Sequence, residues 1–231
     1  MRDRKLRELL REYPRSGNYF LRHGIDPDQY ADFTLEGAFR DKQLDPEVCL
    51  TNLAGYIDHY YGRDTFPEDL EQMSVPQAID HIKIVHHHYE KELLKDLSHK
   101  IERLMDLYFF THGGHLKKLA RYLGMIKVEL EIHFIDQEKR LFPAIAFSCE
   151  TGVFPERVTR SVQRVKEYQS TIGGYVNELI KVTDDFAVPE GEDEYYKMMV
   201  RELEELVRDI YLHIYKENTL VFEPYEKSAN K

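Results

Sequence analysis

Four long helical periods of matched length constrain this chain more than anything else in it. They run over about 75–110, 115–141, 155–185 and 193–222. Thr111-His112-Gly113-Gly114 separates the first from the second, which should end before Pro143. A loop of about twelve residues carrying Gly152 and Pro155 leads to the third. Val188-Pro189-Glu190-Gly191 leads to the fourth, which should stop at Pro224. A helix of roughly thirty residues is about 45 Å long. Equal rods joined by short breaks pack most simply antiparallel, and strand-like alternation is not sustained anywhere. The expected fold is all-α, a four-helix up-and-down bundle over 75–224, with Ser74 and Gln77 capping its first helix.

Ahead of the bundle, 1–70 reads as a small helical N-terminal domain. Met1–Tyr13 places Leu6, Leu9 and Leu10 on one side, and a turn is expected around Ser16-Gly17-Asn18. Thr34 and Asp45-Pro46 introduce two more short helices, the second with an N-cap and a first-position proline. Gly62 to Met73 reads as a polar linker. The net charge of −10 disfavours nucleic acid and anionic membrane as partners. Two cysteines, Cys49 and Cys149, make neither a disulfide framework nor a thiolate metal cluster, and both read as small core hydrophobes. Neither a signal peptide nor a membrane span is recognisable, so a cytoplasmic location is expected.

The helical stripes carry the chemistry. Leu203, Leu206 and Ile210 continue, at steps of three and four, to His213, Glu217 and Leu220. Leu116, Leu119, Leu123, Ile126 and Leu130 continue to His133, Gln137 and Leu141. Tyr108, Ile101 and Leu94 lead backwards in heptad steps to His87, while Val162 and Val165 lead through Gln169 to Ile172, Val176 and Leu179. In an up-and-down bundle these polar positions share one level. A buried carboxylate there needs hydrogen bonds, an ion pair or a metal. Imidazole with carboxylate suits iron, manganese or zinc, and a metal-free hydrogen-bonded layer is the alternative.

These residues resemble the hemerythrin-type cation-binding bundle, and the whole chain resembles the bacterial repair-of-iron-centres proteins. His133-Phe-Ile-Asp-Gln-Glu-Lys-Arg-Leu-Phe-Pro143 is close to a signature in which a ligand His is followed by a ligand Glu four residues later. His213-Ile-Tyr-Lys-Glu217-Asn is similar to its second occurrence, and His87 within His86-His87-His88-Tyr89 to the first-helix ligand. Gly24-Ile-Asp26, Thr34-Leu-Glu36 and Leu44-Asp-Pro46 resemble the small domain that precedes such bundles. The resemblance implies cytoplasmic iron proteins induced by nitric oxide and oxidative stress and associated with restoring iron–sulfur clusters. It implies iron, one ion or two, held by His87, His133, His213 and Glu217. It also implies dioxygen, nitric oxide or peroxide as small partners, and iron–sulfur proteins as clients.

Three departures qualify the resemblance. Gln137 stands where the family has a bridging Glu, and Glu138 is about 100° further round the helix. The third-helix His falls at Gln169, which continues the stripe, or at Tyr168 in another register. Asp28-Gln29 replaces a Cys-Cys pair. The remaining set suits a reduced or single-metal site. Glu129 and Asp209, one turn before His133 and His213, could orient those rings or replace a lost carboxylate. A metal-free sensor or scaffold is the competing function. A ferritin-like oxidase is weaker, because no inward Glu-x-x-His pair is present. His86 and His88 should be partly exposed, His112 and His115 serve a turn, and Tyr122, Tyr211 and Tyr215 pack near the site. Tyr195, Tyr196 and Tyr225 are candidates for a homodimer contact.

Overall fold

The computed structural model describes residues 1–13, 16–27, 29–61, 73–188 and 193–230. Asp28, the expected linker over 62–72 and the Pro189–Gly191 break lie outside them. The chain divides into two compact units, one of Met1–Thr65 with Phe186–Glu204, the other of Phe66–Asp185 with Glu205–Lys231.

In the first unit, capping residues set the helix starts. Helix α1 is Leu6–Glu12 and buries Leu6, Leu9 and Leu10. Helix α2 is Ser16–Arg22, so the expected turn at Ser16-Gly17-Asn18 is helical instead. Thr34 caps α3, Leu35–Asp41, by accepting the Gly37 N–H at 3.1 Å. Asp45 accepts the Glu47 N–H at 2.9 Å ahead of α4, Pro46–Tyr61. The rings of Phe20 and Phe39 stack at 5.7 Å, and Met198 and Met199 are buried in the same unit.

The second unit is the bundle. Its first segment is α5, Val75–Ile82, opened by the Ser74 N–H donating to Gln77 Oε1 at 2.9 Å. A π-helical turn, Lys83–His87, leads into α6, His88–Asp136. That helix is not one rod: the rings of His87 and His133 lie 6.2 Å apart, whereas a straight helix would separate them by about 70 Å. The chain reverses at Tyr108, whose φ of −121° and ψ of 18° leave the helical region. The break is thus ahead of Thr111–Gly114, which are helical. A Cβ at Gly113 would meet the ring of Phe109, one turn earlier, at 3.3 Å.

A second π turn, Gln137–Leu141, precedes α7, Phe142–Thr151, and α8 follows at Glu156–Val182. Helix α9, Glu194–Lys216, ends in a third π turn, Glu217–Phe222, and α10 is Glu223–Ala229. Pro143 and Pro224 therefore do not stop the helical path; each occupies the first turn of a new α stretch. After a wide turn the hydrogen-bond register restarts, so a missing N–H there costs little. The long loop expected after Pro143 shrinks accordingly, and Gly152, with φ +70°, closes α7.

All the stripes face inward. Leu94, Ile101, Leu116, Leu119, Leu123, Ile126, Leu130, Val162, Ile172, Val176, Leu206 and Ile210 are buried. Beyond the π turns a second apolar cluster includes Ile82, Phe142, Ile145, Val162, Val221, Phe222 and Tyr225. Along every segment the polar layer falls between these two apolar bodies. Tyr195, Tyr196 and Tyr225 are buried by their own chain, which corrects their reading as a homodimer contact.

Candidate metal centre

Three of the four segments change from α to π winding at one level, and that is where their polar side chains meet. His87, His133, His213 and Glu217 are all buried, and one ligand atom from each lies within 4.8 Å of the others. Glu217 Oε1 is central: it is 3.0 Å from His213 Nε2, 3.3 Å from His133 Nε2 and 3.9 Å from His87 Nε2. His87 Nε2 and His213 Nε2 are 3.1 Å apart. π turns inside α-helices recur at functional sites because the extra residue re-aims side chains without ending the helix.

The outer nitrogens of two rings are held by carboxylates. His213 Nδ1 is 3.0 Å from Glu90 Oε1. His87 Nδ1 is 2.9 Å from Glu138 Oε1, which also accepts from Lys91 Nζ at 2.7 Å. With Nδ1–H donating outward, Nε2 is the nitrogen turned to the cluster, the usual arrangement around metal-ligating imidazoles. From the third segment, Gln169 Nε2 donates to Glu217 Oε2 at 2.8 Å, and its Oε1 accepts from Asn218 Nδ2 at 3.1 Å. Phe134 and Phe142 cover His87 at ring separations of 4.6 and 5.8 Å. Gln137 is fully buried, and both of its amide atoms lack a hydrogen-bond partner among the described residues.

Electrostatics call for a positive charge at this place. Burial works against an ionised His213, yet Glu90 and Glu217 hold its proton affinity well above the ordinary value. Burial would raise Glu217, but His213 and His133 keep it well below the usual carboxylate range. Burial lifts Glu90 to about 8, opposed by His213 and assisted by Asp209. Burial lowers His87 to about 4, so its ring is neutral at pH 7. Two fully buried carboxyl groups thus flank one imidazole, and in the metal-free chain the proton on His213 is the cation that offsets them, a place a bound metal ion would take over. Three imidazoles and a carboxylate fit iron, manganese or zinc, and the unpartnered Gln137 amide is a buried polar group whose partner a bound ion or its ligand would supply.

Next to this cluster, His86 Nδ1 is 3.0 Å from Asp209 Oδ1, and with Glu90 these two residues form a second buried set of ligand type. Lys216 Nζ lies 2.9 Å from His86 Nε2 and 3.2 Å from His81 Nε2. Its ammonium gives that set a cation of its own.

The family model of the hemerythrin HHE cation binding domain matches residues 78–226. The chain belongs to the hemerythrin HHE family. Across nearly its whole length it is similar to proteins named iron-sulfur cluster repair protein YtfE. It is 29% identical over 226 residues to the one from Enterobacter sp. (strain 638), with 96% of each chain covered. It is 28% identical over 225 residues to those of Escherichia coli O8 (strain IAI1) and Shigella boydii serotype 4 (strain Sb227), again with 96% of each chain covered.

Within this HHE bundle the anticipated positions fall as follows. His87, His133, His213 and Glu217 come together, and Gln169, not Tyr168, is the inward residue of the third segment. Tyr168 instead donates its hydroxyl hydrogen to Glu129. Asp209 holds His86 rather than His213. His86 is fully buried, contrary to its expected exposure, because the π turn at Lys83–His87 brings both His86 and His87 inward. Tyr211 and Tyr215 are 46% and 57% exposed, so they do not pack at the site. Glu90, one turn after His87, was passed over although its spacing placed it on the same face.

Proposed function

We propose that this chain is an iron-binding protein acting in iron–sulfur cluster repair, as the names of its relatives describe for them. Its centre holds a single iron through His87, His133, His213 and Glu217. The observation that carries this reading is the convergence of those four ligand atoms within 4.8 Å. Iron held there would supply redox chemistry and affinity for small ligands such as dioxygen, nitric oxide or peroxide. Glu217 provides the anionic donor, and Gln169 ties down its second oxygen. Glu90 and Glu138 orient two of the three rings, while Phe134 and Phe142 keep water from His87. Gln137 offers only a neutral oxygen where a bridging carboxylate would be needed to hold a second ion. Damaged iron–sulfur proteins are the proposed clients and the cytoplasm the proposed location. No helix among the described residues is long and apolar enough to cross a membrane.

Metal analysis and magnetic spectroscopy of protein purified without an affinity tag test this reading. Wild type should hold at most one iron per chain, and Gln137→Glu combined with Gln169→His should gain a second, coupled ion. Two coupled irons in the wild type would overturn the single-ion centre. A chain that takes up no transition metal would instead support an interaction protein built on the Gln169–Glu217 hydrogen bond.

A further inference from the structure

Beside the centre lies a cavity of about 580 Å³, lined on one side by residues following Ile132 and on the other by α8. That volume is in the range of small-molecule sites. Its charge is unlike that of the chain as a whole. The protein carries a net charge of −10, yet three arginines, Arg140, Arg157 and Arg164, line this one space against a single carboxylate, Asp136. Arg140 is paired with Asp136. Among the described residues the first-turn carboxylate of α8, Glu156, pairs with Arg160, and no ion pair is formed by Arg157 or Arg164, both exposed. They occupy one face of α8 with Ser161 between them, a consequence of their spacing by four and three residues.

The second observation comes from the metal centre. His87 and His213 each have Nδ1 on a carboxylate, Glu138 and Glu90. His133 turns Nε2 to Glu217 at 3.3 Å, and its Nδ1 has no hydrogen-bond partner among the described residues. Its ring forms part of the cavity wall. The one imidazole of the three without an outer carboxylate is therefore the one that borders an arginine-lined cavity.

We propose that this cavity binds a small polycarboxylate, which pairs with the arginines and places one carboxylate to accept the His133 Nδ1–H. Guanidinium forks take carboxylates in bidentate, charge-assisted pairs. Val158, Val165 and Leu141 give the same cavity an apolar wall suited to a methylene backbone. The ligand completes the ring of outer carboxylates, so its arrival alters the donor strength of His133 and hence the electronic state of a bound ion. Binding itself needs no metal; only that last effect rests on the iron reading above.

Calorimetric titration of the purified full-length chain with tricarballylate, a tricarboxylate that lacks the hydroxyl of strong iron chelators, tests the proposal. Saturable binding of one molecule per chain is expected. Arg157→Gln with Arg164→Gln should weaken it about tenfold or more, with an unchanged circular dichroism spectrum. Because both arginines are exposed, this variant should fold; Arg164→Glu alone provides an independent loss of affinity. Absence of saturable binding, equal affinity in the arginine variants, or equally tight binding of inorganic phosphate at matched ionic strength would each overturn it. Iron analysis of the same samples separates the readings: anion binding in iron-free protein leaves the cavity assignment standing and removes the iron one.

Discussion

Glu90 shows how much a single side chain can matter here. It is fully buried, its Oε1 faces His213 Nδ1 at 3.0 Å, and its Oε2 has no hydrogen-bond partner among the described residues. Glu90→Gln keeps the shape but removes the ionisable carboxyl group that orients and strengthens His213. Metal affinity should fall roughly 10–100-fold with the helical spectrum unchanged; equal affinities in a competition titration would show that Glu90 does not act through the ring. His213 also sets the sign of the pH dependence. Glu90 and Glu217 keep it protonated at pH 7 in the metal-free chain despite its burial, so Nε2 must lose a proton to take a metal. His87, lowered to about 4 by burial, has none to lose. Metal uptake at pH 7 should therefore release protons, from His213 and from Glu90, which burial lifts to about 8, and affinity should rise with pH through this range. A titration in weakly buffered indicator dye reads this directly, and uptake without acidification would contradict it.

Among the elements, the π turns decide where the polar layer can form. Lys83–His87, Gln137–Leu141 and Glu217–Phe222 each shift the helix phase by one residue. Without the first, His86 and His87 could not both lie inside, and without the second, Glu138 would point about 100° away from the ligand face. The end of α7 is simpler. Gly152 has φ +70° and nothing within 4 Å of an added Cβ, so Gly152→Ala strains only the backbone. A loss of about 1 kcal/mol in urea unfolding is expected; an unchanged midpoint would mean that the cap relaxes. Periodicity was enough to read the four segments, their inward stripes and the meeting of His133, His213 and Glu217, because apolar spacing and burial follow one rule. The π turns were not legible, since an i→i+5 bond has no residue signature of its own. Pro143 and Pro224 were the visible traces, and they pointed to helix ends instead of new starts. Glu138 was set aside for the same reason: its angle was counted on an ideal helix.

For the whole molecule, stability and metal occupancy are linked. An ion that binds only the folded chain adds about 2.7 kcal/mol when present at a hundred times its dissociation constant. Chelation should lower the midpoint of thermal unfolding, and returning ferrous iron should restore it; a midpoint indifferent to both would argue that the polar layer is self-sufficient. The reversal at Tyr108 adds an order in time. It brings His87 and His133 together within one helical hairpin, whereas His213 and Glu217 come from a segment made much later. A local closure of this kind is fast compared with assembly of distant segments. As the chain leaves the ribosome, the pair of imidazoles exists before the carboxylate that would hold a cation firmly. The nascent protein thus passes through a stage with weak grip on metal, and only arrival of the last helix seals the centre. During refolding, amides flanking His87 and His133 should gain protection from hydrogen exchange before those flanking His213.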